Sequence, residues 1–205
     1  MHIGVAGNIG SGKTTLTEML SRHYGWTPRY ESVIYNPYLE DYYSDIKRWS
    51  FNLEVYFLTQ RFEDLLEISR SDKVIIQDRT LVEGVHIFVE NNYALGNISE
   101  RDYKTYMQLF GVMSSIVRNP DILIYLKCSL PHLVARIQQR GRDYEQSISL
   151  DYLEGLNRRY EEWIAGYDGT VITIDGDNLD FKNRPEDFQS ITNRLDGNEV
   201  GIDII

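Results

Sequence analysis

An eight-residue segment near the start of the chain has the residue types and spacing of a phosphate-binding loop. It runs from Gly7 to Thr14 with the sequence GNIGSGKT and directly follows the apolar run Ile3 to Ala6. Glycines let the backbone wrap an anion, the lysine reaches the terminal phosphates, and the threonine hydroxyl takes a Mg²⁺ position. Because the segment lies between a predicted strand and a predicted helix, a glycine-rich turn without a ligand is the weaker alternative. The segment therefore predicts binding of a nucleoside triphosphate.

Acidic residues follow two further strand candidates and are expected near this loop. Glu31 ends a weak candidate that starts at Pro28, and Asp78 and Arg79 follow the candidate Lys73 to Gln77. A carboxylate beside the phosphates can take a proton from an attacking hydroxyl. Asp78 can hold Mg²⁺, directly or through water, while Arg79 orients a phosphoryl oxygen. A solvated loop glutamate and a structural Asp-Arg pair are the alternatives that these positions leave open.

Three arginines within seven residues form the pattern Arg-x-x-x-Arg-Gly-Arg in an otherwise acidic chain. Arg136 and Arg140 are four residues apart and share one helix face, and Gly141 is expected to end the helix before Arg142. We expect an arginine-rich lid over about residues 136–148 that brings guanidinium groups onto a transferring phosphoryl group and excludes water. A basic helix face exposed to solvent is the alternative.

An excess of acidic residues argues against a polyanionic partner. The 205 residues include 21 basic and 31 acidic ones, which gives a net charge of −10. Nucleic acid repels such a chain, so we expect no nucleic-acid partner. No apolar stretch approaches membrane-spanning length, and the single cysteine, Cys128, suits a reducing compartment. We therefore expect a cytoplasmic protein that does not contact a membrane.

Strand candidates alternate with helical patterns along the chain. Apolar runs predict strands at His2 to Ala6, Pro28 to Glu31, Lys73 to Gln77, Ile122 to Lys127 and Thr170 to Ile174. Helical periodicity predicts helices at Lys13 to Tyr24, Phe51 to Ser69, Val82 to Asn92, Glu100 to Asn119, Pro131 to Arg140, Ser149 to Ala165 and Arg184 to Leu195. The alternation predicts one α/β domain over residues 1–205, with helices on both faces of a parallel sheet and the ligand site at the carboxyl ends of the strands.

Five ordered motifs, which together span nearly the whole chain, resemble those of the deoxynucleoside kinase family. They are the loop Gly7 to Thr14, the strand end at Glu31, Trp49-Ser50-Phe51, Asp78-Arg79-Thr80 and the lid Arg136 to Glu145. The resemblance implies a P-loop kinase with a five-stranded parallel sheet flanked by helices. It also implies ATP as phosphate donor, Mg²⁺, transfer to the 5′-hydroxyl of a deoxyribonucleoside in nucleotide salvage, and a homodimer.

The resemblance also assigns roles to individual positions. It implies that Glu31 is the general base, positioned by Arg79, and that the charge of the transferring phosphoryl group is stabilised by Lys13, Arg140 and Arg142. The metal ligands would be Thr14 and Asp78. The sugar 3′-hydroxyl would be held by Tyr43 and Glu145, and the acceptor base would stack on Phe88, a residue that otherwise reads as core. The donor nucleotide would contact Gly7, Asn8, Ile9, Gly10, Ser11, Gly12, Lys13, Thr14, Thr15, Arg136, Asp180 and Phe181.

Two positions on one predicted helix bear on the choice of nucleobase. Glu54 stands where most of the family has glutamine, and an ionised carboxylate only accepts hydrogen bonds, as guanine N1–H and N2–H₂ require. Arg61 lies two turns later on the same helix face and can donate to guanine O6 or N7. The pair predicts deoxyguanosine as the first choice. The alternative is that Glu54 and Arg61 bridge each other and the pocket selects by shape.

Gly84 weakens the expectation of strict specificity. The deoxycytidine and deoxyguanosine enzymes of animals have an aspartate here, and the broader members of the family have a small residue. Glycine removes a partner for Arg61 and is expected to open space above the base. A deoxyadenosine or broad-specificity kinase therefore stays open.

Other function classes meet specific objections. A regulatory GTPase needs an Asn-Lys-x-Asp guanine-reading motif, which the sequence lacks. A nucleoside monophosphate kinase shares the loop and a lid, but its phosphate acceptor needs no general base and would be repelled by Glu31. A nucleotide-binding module without catalysis would bind ATP and turn over no nucleoside.

Overall fold

Five parallel strands form one sheet in the computed structural model, which describes residues 1–31, 36–142, 145 and 148–197. The strands are β1 (His2–Gly7), β2 (Thr27–Arg29), β3 (Ile75–Asp78), β4 (Ile122–Lys127) and β5 (Thr170–Asp175). Their order across the sheet is β2-β3-β1-β4-β5, and each neighbouring pair is parallel. The weak strand candidate near Pro28 is the edge strand β2. The predicted fold class, a parallel five-stranded sheet flanked by helices, is confirmed.

Helices connect the strands and cover the sheet. They are α1 (Lys13–Tyr24), α2 (Leu39–Ser44), α3 (Ile46–Ser69), α4 (Leu81–Glu83), α5 (Glu90–Ala94), α6 (Glu100–Ser114), α7 (Leu130–Arg140), α8 (Leu150–Ala165) and α9 (Pro185–Asp196). Between α4 and α5 the chain forms a π-helix over Gly84–Val89. Within the described part of the chain, no helix is both long enough and apolar enough to cross a bilayer.

The sheet separates two apolar clusters, because successive side chains of a strand point to opposite faces. On β4, Ile122 and Ile124 pack in the cluster that includes residues of α1 and α9. Leu123 and Tyr125 pack instead in the cluster that includes residues of α8. Both faces of the sheet are therefore buried, which explains why the strands read as continuous apolar runs rather than as alternating patterns.

The structure corrects several predicted helix boundaries. α3 begins at Ile46, five residues before the predicted start, because the Asp45 side chain accepts a hydrogen bond from the Arg48 backbone N–H at 3.0 Å and caps the helix. The sequence did not predict α2. The predicted helix Val82 to Asn92 is interrupted by the π-helix, and the predicted helix from Glu100 ends at Ser114 rather than at Asn119.

The segment that carries the predicted lid follows α7. This helix ends at Arg140, and Gly141 adopts the left-handed conformation with φ of 67°, so the helix breaks where the glycine predicted. Residues 143, 144, 146 and 147 of the predicted lid lie outside the described residues. The lid as a moving element stays a prediction.

Candidate active site

The three segments with predicted chemistry meet at the carboxyl edge of the sheet. The phosphate-binding loop follows β1, Glu31 follows β2, and Arg79 follows β3. They border a cavity of about 500 Å³. Its lining includes most of the residues to which catalytic, metal-binding or acceptor-binding roles were assigned, namely Lys13, Thr14, Glu31, Tyr43, Glu54, Arg61, Asp78, Arg79, Phe88, Arg140, Arg142 and Glu145.

The loop has the backbone conformation of an anion cradle. Gly10 and Gly12 have φ of 83° and 100°, values that residues with a side chain rarely adopt. A Cβ at Gly10 would also lie 3.0 Å from the Leu133 carbonyl oxygen. Lys13 is buried and donates from Nζ to the Asn8 carbonyl oxygen at 3.0 Å. Burial, helped by the nearby Arg79 charge, lowers the pKa of Lys13 to about 8. A bound polyphosphate would stabilise the charged lysine.

Glu31 is gripped by two arginines. Arg61 donates from Nη2 to Glu31 Oε1, and Arg79 donates from Nε to Oε2 at 3.1 Å. Burial opposes ionisation of this carboxyl, but the charges of Arg79 and Arg61 outweigh it and lower the pKa to about 2. Glu31 is therefore an ionised acceptor at neutral pH, and it lies within the same cavity as Lys13.

A buried glutamate that the sequence did not single out ties Arg79 to the phosphate-binding loop. Glu83 is fully buried, and its Oε1 accepts from the Gly7 backbone N–H at 3.2 Å, from Arg79 Nη1 at 3.1 Å and from the Tyr160 hydroxyl. Its Oε2 accepts from the Thr80 backbone N–H at 3.1 Å, while the Thr80 hydroxyl accepts from Glu83 N–H, which completes a capping box. The Thr-x-x-Glu spacing is the signal that could have indicated this glutamate.

Arg79 itself has an unusual backbone. Its φ of 71° places a residue other than glycine in the left-handed region, and its N–H donates to the Val5 carbonyl oxygen at 3.0 Å. Its guanidinium lies 4.4 Å from the ring centre of Phe88. Such backbone strain persists where the surroundings hold a side chain in one position, and here Glu31, Glu83 and Tyr160 do so.

Glu54 and Arg61, the pair predicted to read the base, do not bridge each other. Arg61 is committed through Nη2 to Glu31, while its buried Nε and Nη1 have no hydrogen-bond partner among the described residues. Glu54 is 3% exposed and accepts at Oε1 from Asn92 Nδ2 at 3.2 Å. No ion pair between Glu54 and Arg61 occurs in the described structure. The alternative in which Glu54 and Arg61 bridge each other thus does not occur in the described structure.

Gly84 does not open space above the base, which corrects the sequence expectation. A Cβ at this position would lie 2.2 Å from Arg61 Nη1, so the arginine fills the volume that a side chain would need. Arg61 donates to Glu31 instead, and the loss of a partner at position 84 stays a prediction.

Two predicted metal ligands are adjacent. The Thr14 hydroxyl donates to Asp78 Oδ2 at 2.5 Å, and the buried Asp78 Oδ1 has no hydrogen-bond partner in the described part of the structure. Burial raises the pKa of Asp78, against the lowering effect of Lys13. An unpartnered carboxylate oxygen beside a threonine hydroxyl is the oxygen-donor set that Mg²⁺ prefers, so the residues present fit this ion.

Two of the three predicted lid arginines converge on Glu145. Arg140 donates from Nη2 to Glu145 Oε2 at 2.6 Å, and Arg142 donates from Nη1 to Oε1 at 3.3 Å. Arg136 lies apart from them and donates to the carbonyl oxygens of Ser11 and Gly176, at 3.0 and 2.7 Å. Arg136 thereby links the phosphate-binding loop to the segment after β5.

The remaining predicted contacts differ in their surroundings. Tyr43 borders the cavity and packs edge-on against Tyr42. Phe181 is buried in the core and lies below Gly12, so its ring supports the loop. Asp180 is partly exposed and accepts from Asn183 Nδ2 at 3.0 Å. The contact of Asp180 and Phe181 with a donor base stays a prediction.

One protein family matches nearly the whole chain. The sequence model of the deoxynucleoside kinase family matches residues 3–200. A Bacillus subtilis deoxyadenosine/deoxycytidine kinase is 39% identical over 94% of this chain and 90% of its own length. A deoxyguanosine kinase of the same organism is 37% identical over 92% of this chain and 93% of its own length.

Solved structures give the same result. The deoxyadenosine kinase from M. mycoides with bound dATP superposes with a TM-score of 0.85 at 36% identity, over 96% of this chain and 100% of that one. The same enzyme with products superposes with a TM-score of 0.86. The chain therefore belongs to the deoxynucleoside kinase family of phosphotransferases.

Proposed function

We propose that this deoxynucleoside kinase transfers the γ-phosphoryl group of ATP to the 5′-hydroxyl of a purine deoxynucleoside, with deoxyguanosine preferred. The observation that carries the proposal is the ionised Glu31, which lies between Arg61 and Arg79 in the cavity that Lys13 also borders. A fixed carboxylate beside a phosphate-binding loop suits an alcohol acceptor and repels a phosphate acceptor. A nucleoside monophosphate kinase is therefore the weaker alternative.

The charges of the cavity fit a Mg²⁺-bound triphosphate as donor. Five basic and five acidic side chains line it, so its formal charge is balanced although the whole chain carries −10. Mg²⁺ held by Thr14 and Asp78 would offset the negative charge of the donor phosphates. Lys13, Arg140 and Arg142 would hold the phosphoryl oxygens, and the two arginines would first have to leave Glu145.

The preference for guanine rests on two Arg61 donors without partners among the described residues and on the Glu54 carboxylate, which only accepts hydrogen bonds. Arg61 has Nε and Nη1 without partners, and guanine offers two acceptors, O6 and N7. The Glu54 carboxylate accepts from guanine N1–H and N2–H₂. The two Bacillus subtilis relatives have different named substrates but nearly the same sequence identity to this chain, 39% and 37%. Sequence similarity alone therefore does not indicate which base is preferred. Deoxyadenosine or broad acceptance is the alternative.

Replacing Glu31 tests the reaction. Glu31→Gln keeps the shape but removes the proton acceptor, so we expect turnover to fall by about 10²- to 10⁴-fold while nucleoside binding persists. The measurement is phosphorylation of the four deoxynucleosides by Mg²⁺-ATP, with a deoxynucleoside monophosphate as control acceptor. Glu67→Gln is the matched control, because it breaks an Arg29–Glu67 pair of 2.7 Å on the surface. Near-normal turnover by Glu31→Gln would remove the residue from this role.

Replacing Glu54 tests the base preference. A glutamine both donates and accepts, so Glu54→Gln should shift the kcat/KM ratio from deoxyguanosine towards deoxyadenosine or deoxycytidine by about 10- to 100-fold. Glu63→Gln, at an exposed position on the same helix, is the control. An unchanged ranking of the four deoxynucleosides would contradict reading of the base by Glu54.

A further inference from the structure

Glu54 is held inside the cavity by a buried asparagine. Asn92 on α5 is fully buried and donates from Nδ2 to Glu54 Oε1 at 3.2 Å. On its other side, Asn92 Oδ1 accepts from the Tyr42 hydroxyl at 3.3 Å and from Asn97 Nδ2 at 3.2 Å. A turned amide would place its NH₂ group against the NH₂ group of Asn97. The arrangement in the structure therefore presents N–H to Glu54.

This bond decides which carboxyl oxygen of Glu54 can carry a proton. An oxygen that accepts from an amide N–H is favoured as the unprotonated one, so a proton on Glu54 belongs on Oε2. Oε1 keeps a second lone pair and stays an acceptor in both states. Glu54 thus presents two acceptors when it is ionised, and one acceptor and one donor when it is neutral.

The surroundings of Glu54 set the balance between these two states. Burial raises the pKa of Glu54 to about 7 and the nearby Glu31 charge adds to the rise, although Arg61 and the Asn92 bond lower it. The other groups that face Glu54 are Arg79 after β3 and the hydroxyls of Tyr42, Tyr106 and Tyr152 on α2, α6 and α8, whose pKa values are raised and which stay neutral.

We propose that Asn92 makes Glu54 a two-state reader of the base, whose ionised form selects guanine and whose neutral form selects adenine or cytosine. The ionised form accepts from guanine N1–H and N2–H₂. The neutral form donates from Oε2 to adenine N1, or to cytosine N3, and accepts at Oε1 from the exocyclic amine. This inference rests on the proposed function, because it assumes that the base meets Glu54.

The test is a competition between two substrates in one mixture. Deoxyadenosine and deoxyguanosine compete for the wild-type enzyme between pH 6 and 8, and the ratio of their kcat/KM values is measured. Titration of groups that act on both substrates, such as Lys13, cancels in this ratio. With a pKa near 7 the neutral-to-ionised ratio falls about tenfold per pH unit, so the preference for deoxyadenosine over deoxyguanosine should fall up to about 100-fold across this range.

Two variants separate Glu54 from other titrating groups. Glu54→Gln cannot titrate, so its substrate ratio should stay constant with pH. Asn92→Leu loses the amide donor that lowers the pKa of Glu54, so its preference for deoxyadenosine over deoxyguanosine should be higher than in the wild type at each pH. Glu63→Gln on the same helix should keep the wild-type profile, since this residue is exposed.

Thermal unfolding without substrate gives a readout that does not depend on activity. A carboxyl whose folded-state pKa is raised contributes stability that is complete below its unfolded value, near 4.5, and that is lost as pH rises through about 7. Glu54→Gln should therefore gain stability over the wild type between these two pH values, and the difference should be constant above them. This measurement also shows whether the asparagine variant folds.

The outcomes distinguish the inference from the proposed function. A wild-type ratio that is constant with pH, with both substrates turned over, would overturn the inference and leave the kinase function intact. A pH-dependent ratio that persists in Glu54→Gln would also overturn it. Failure to phosphorylate any deoxynucleoside at any pH would reject the proposed function itself.

Discussion

The carboxylate of Glu31 is a weak base, and the reaction suits a weak base. Its pKa of about 2 means that it holds a proton poorly at neutral pH. Phosphoryl transfer passes through a loose transition state in which the attacking oxygen forms little bond, so the hydroxyl proton leaves late and a well-oriented weak base is sufficient to accept it. The two arginines on Glu31 hold both of its oxygens in place for that purpose.

Glu83 provides a test of how Arg79 is held. In Glu83→Gln an NH₂ group replaces one oxygen and faces a donor, either the Thr80 N–H or the donors that meet at Oε1. Since this breaks a buried ion pair, we expect about 3 kcal/mol less stability to chemical unfolding and a lower kcat with a smaller change in KM.

Tyr160→Phe is a milder change in the same cluster. It removes a hydroxyl that contacts Arg79, Glu83 and, at 2.8 Å, the Gly7 carbonyl oxygen, but it keeps the Arg79–Glu83 ion pair. We expect a loss of about 1–2 kcal/mol. If Glu83→Gln has the unfolding stability and the kcat of the wild type, Glu83 has no role in positioning Arg79.

The π-helix is the element that shapes the cavity around Arg61 and Arg79. It contains both Gly84, which Arg61 approaches, and Phe88, which contacts Arg79. A π-helical turn accommodates an extra residue in a helix and is frequent at functional sites. The local irregularity thus places a glycine and an aromatic ring against two arginines of the cavity.

Gly84→Ala tests this arrangement. The new methyl group would lie 2.2 Å from Arg61 Nη1, so the guanidinium must shift away from Glu31. We expect a KM for the deoxynucleoside at least about tenfold higher, because both the base contact and the Glu31 position change.

Gly111→Ala in α6 is the matched control, because its Cβ would meet no atom within 4 Å. The substitution should stabilise that helix by up to about 1 kcal/mol and leave the KM unchanged. Equal KM values for the two variants would show that Arg61 does not depend on the space at Gly84.

The whole molecule has an apolar surface beside α6. Val112 on this helix and Ile116 just after it are each 64% exposed and lie four residues apart. Exposed apolar groups of this kind are typical of surfaces that contact another protein. They agree with the homodimer that the family resemblance implies, which stays a prediction.

The oligomeric state can be measured directly. We expect light scattering after gel filtration to give twice the chain mass of 24.0 kDa. Val112→Glu places a charge on the apolar surface and should reduce the mass to that of one chain, whereas Lys104→Glu, at an exposed position on α6, should not. A wild-type mass of one chain would contradict the dimer, and a dimer that persists in Val112→Glu would place the interface elsewhere.

Local patterns were sufficient for the architecture and for most of the residues around the cavity. The glycines and lysine of the loop lie within eight consecutive residues, where short-range backbone conformation dictates their arrangement. The apolar runs likewise identified β1, β3, β4 and β5, since buried strands have a strong composition signal, whereas the edge strand β2 followed from a weak candidate. The rule that ligands bind at the carboxyl ends of parallel strands then brought Glu31 and Arg79 together.

The partners of the buried charges could be identified only from the tertiary structure. Arg61 bonds Glu31, 30 residues away, rather than Glu54 on its own helix, and Glu83 receives the N–H of Gly7 from 76 residues away. Asn92 likewise reaches Glu54 across 38 residues. Such pairings depend on how helices dock on the sheet, because the low-dielectric interior requires each buried charge to find a partner and leaves packing to choose which one.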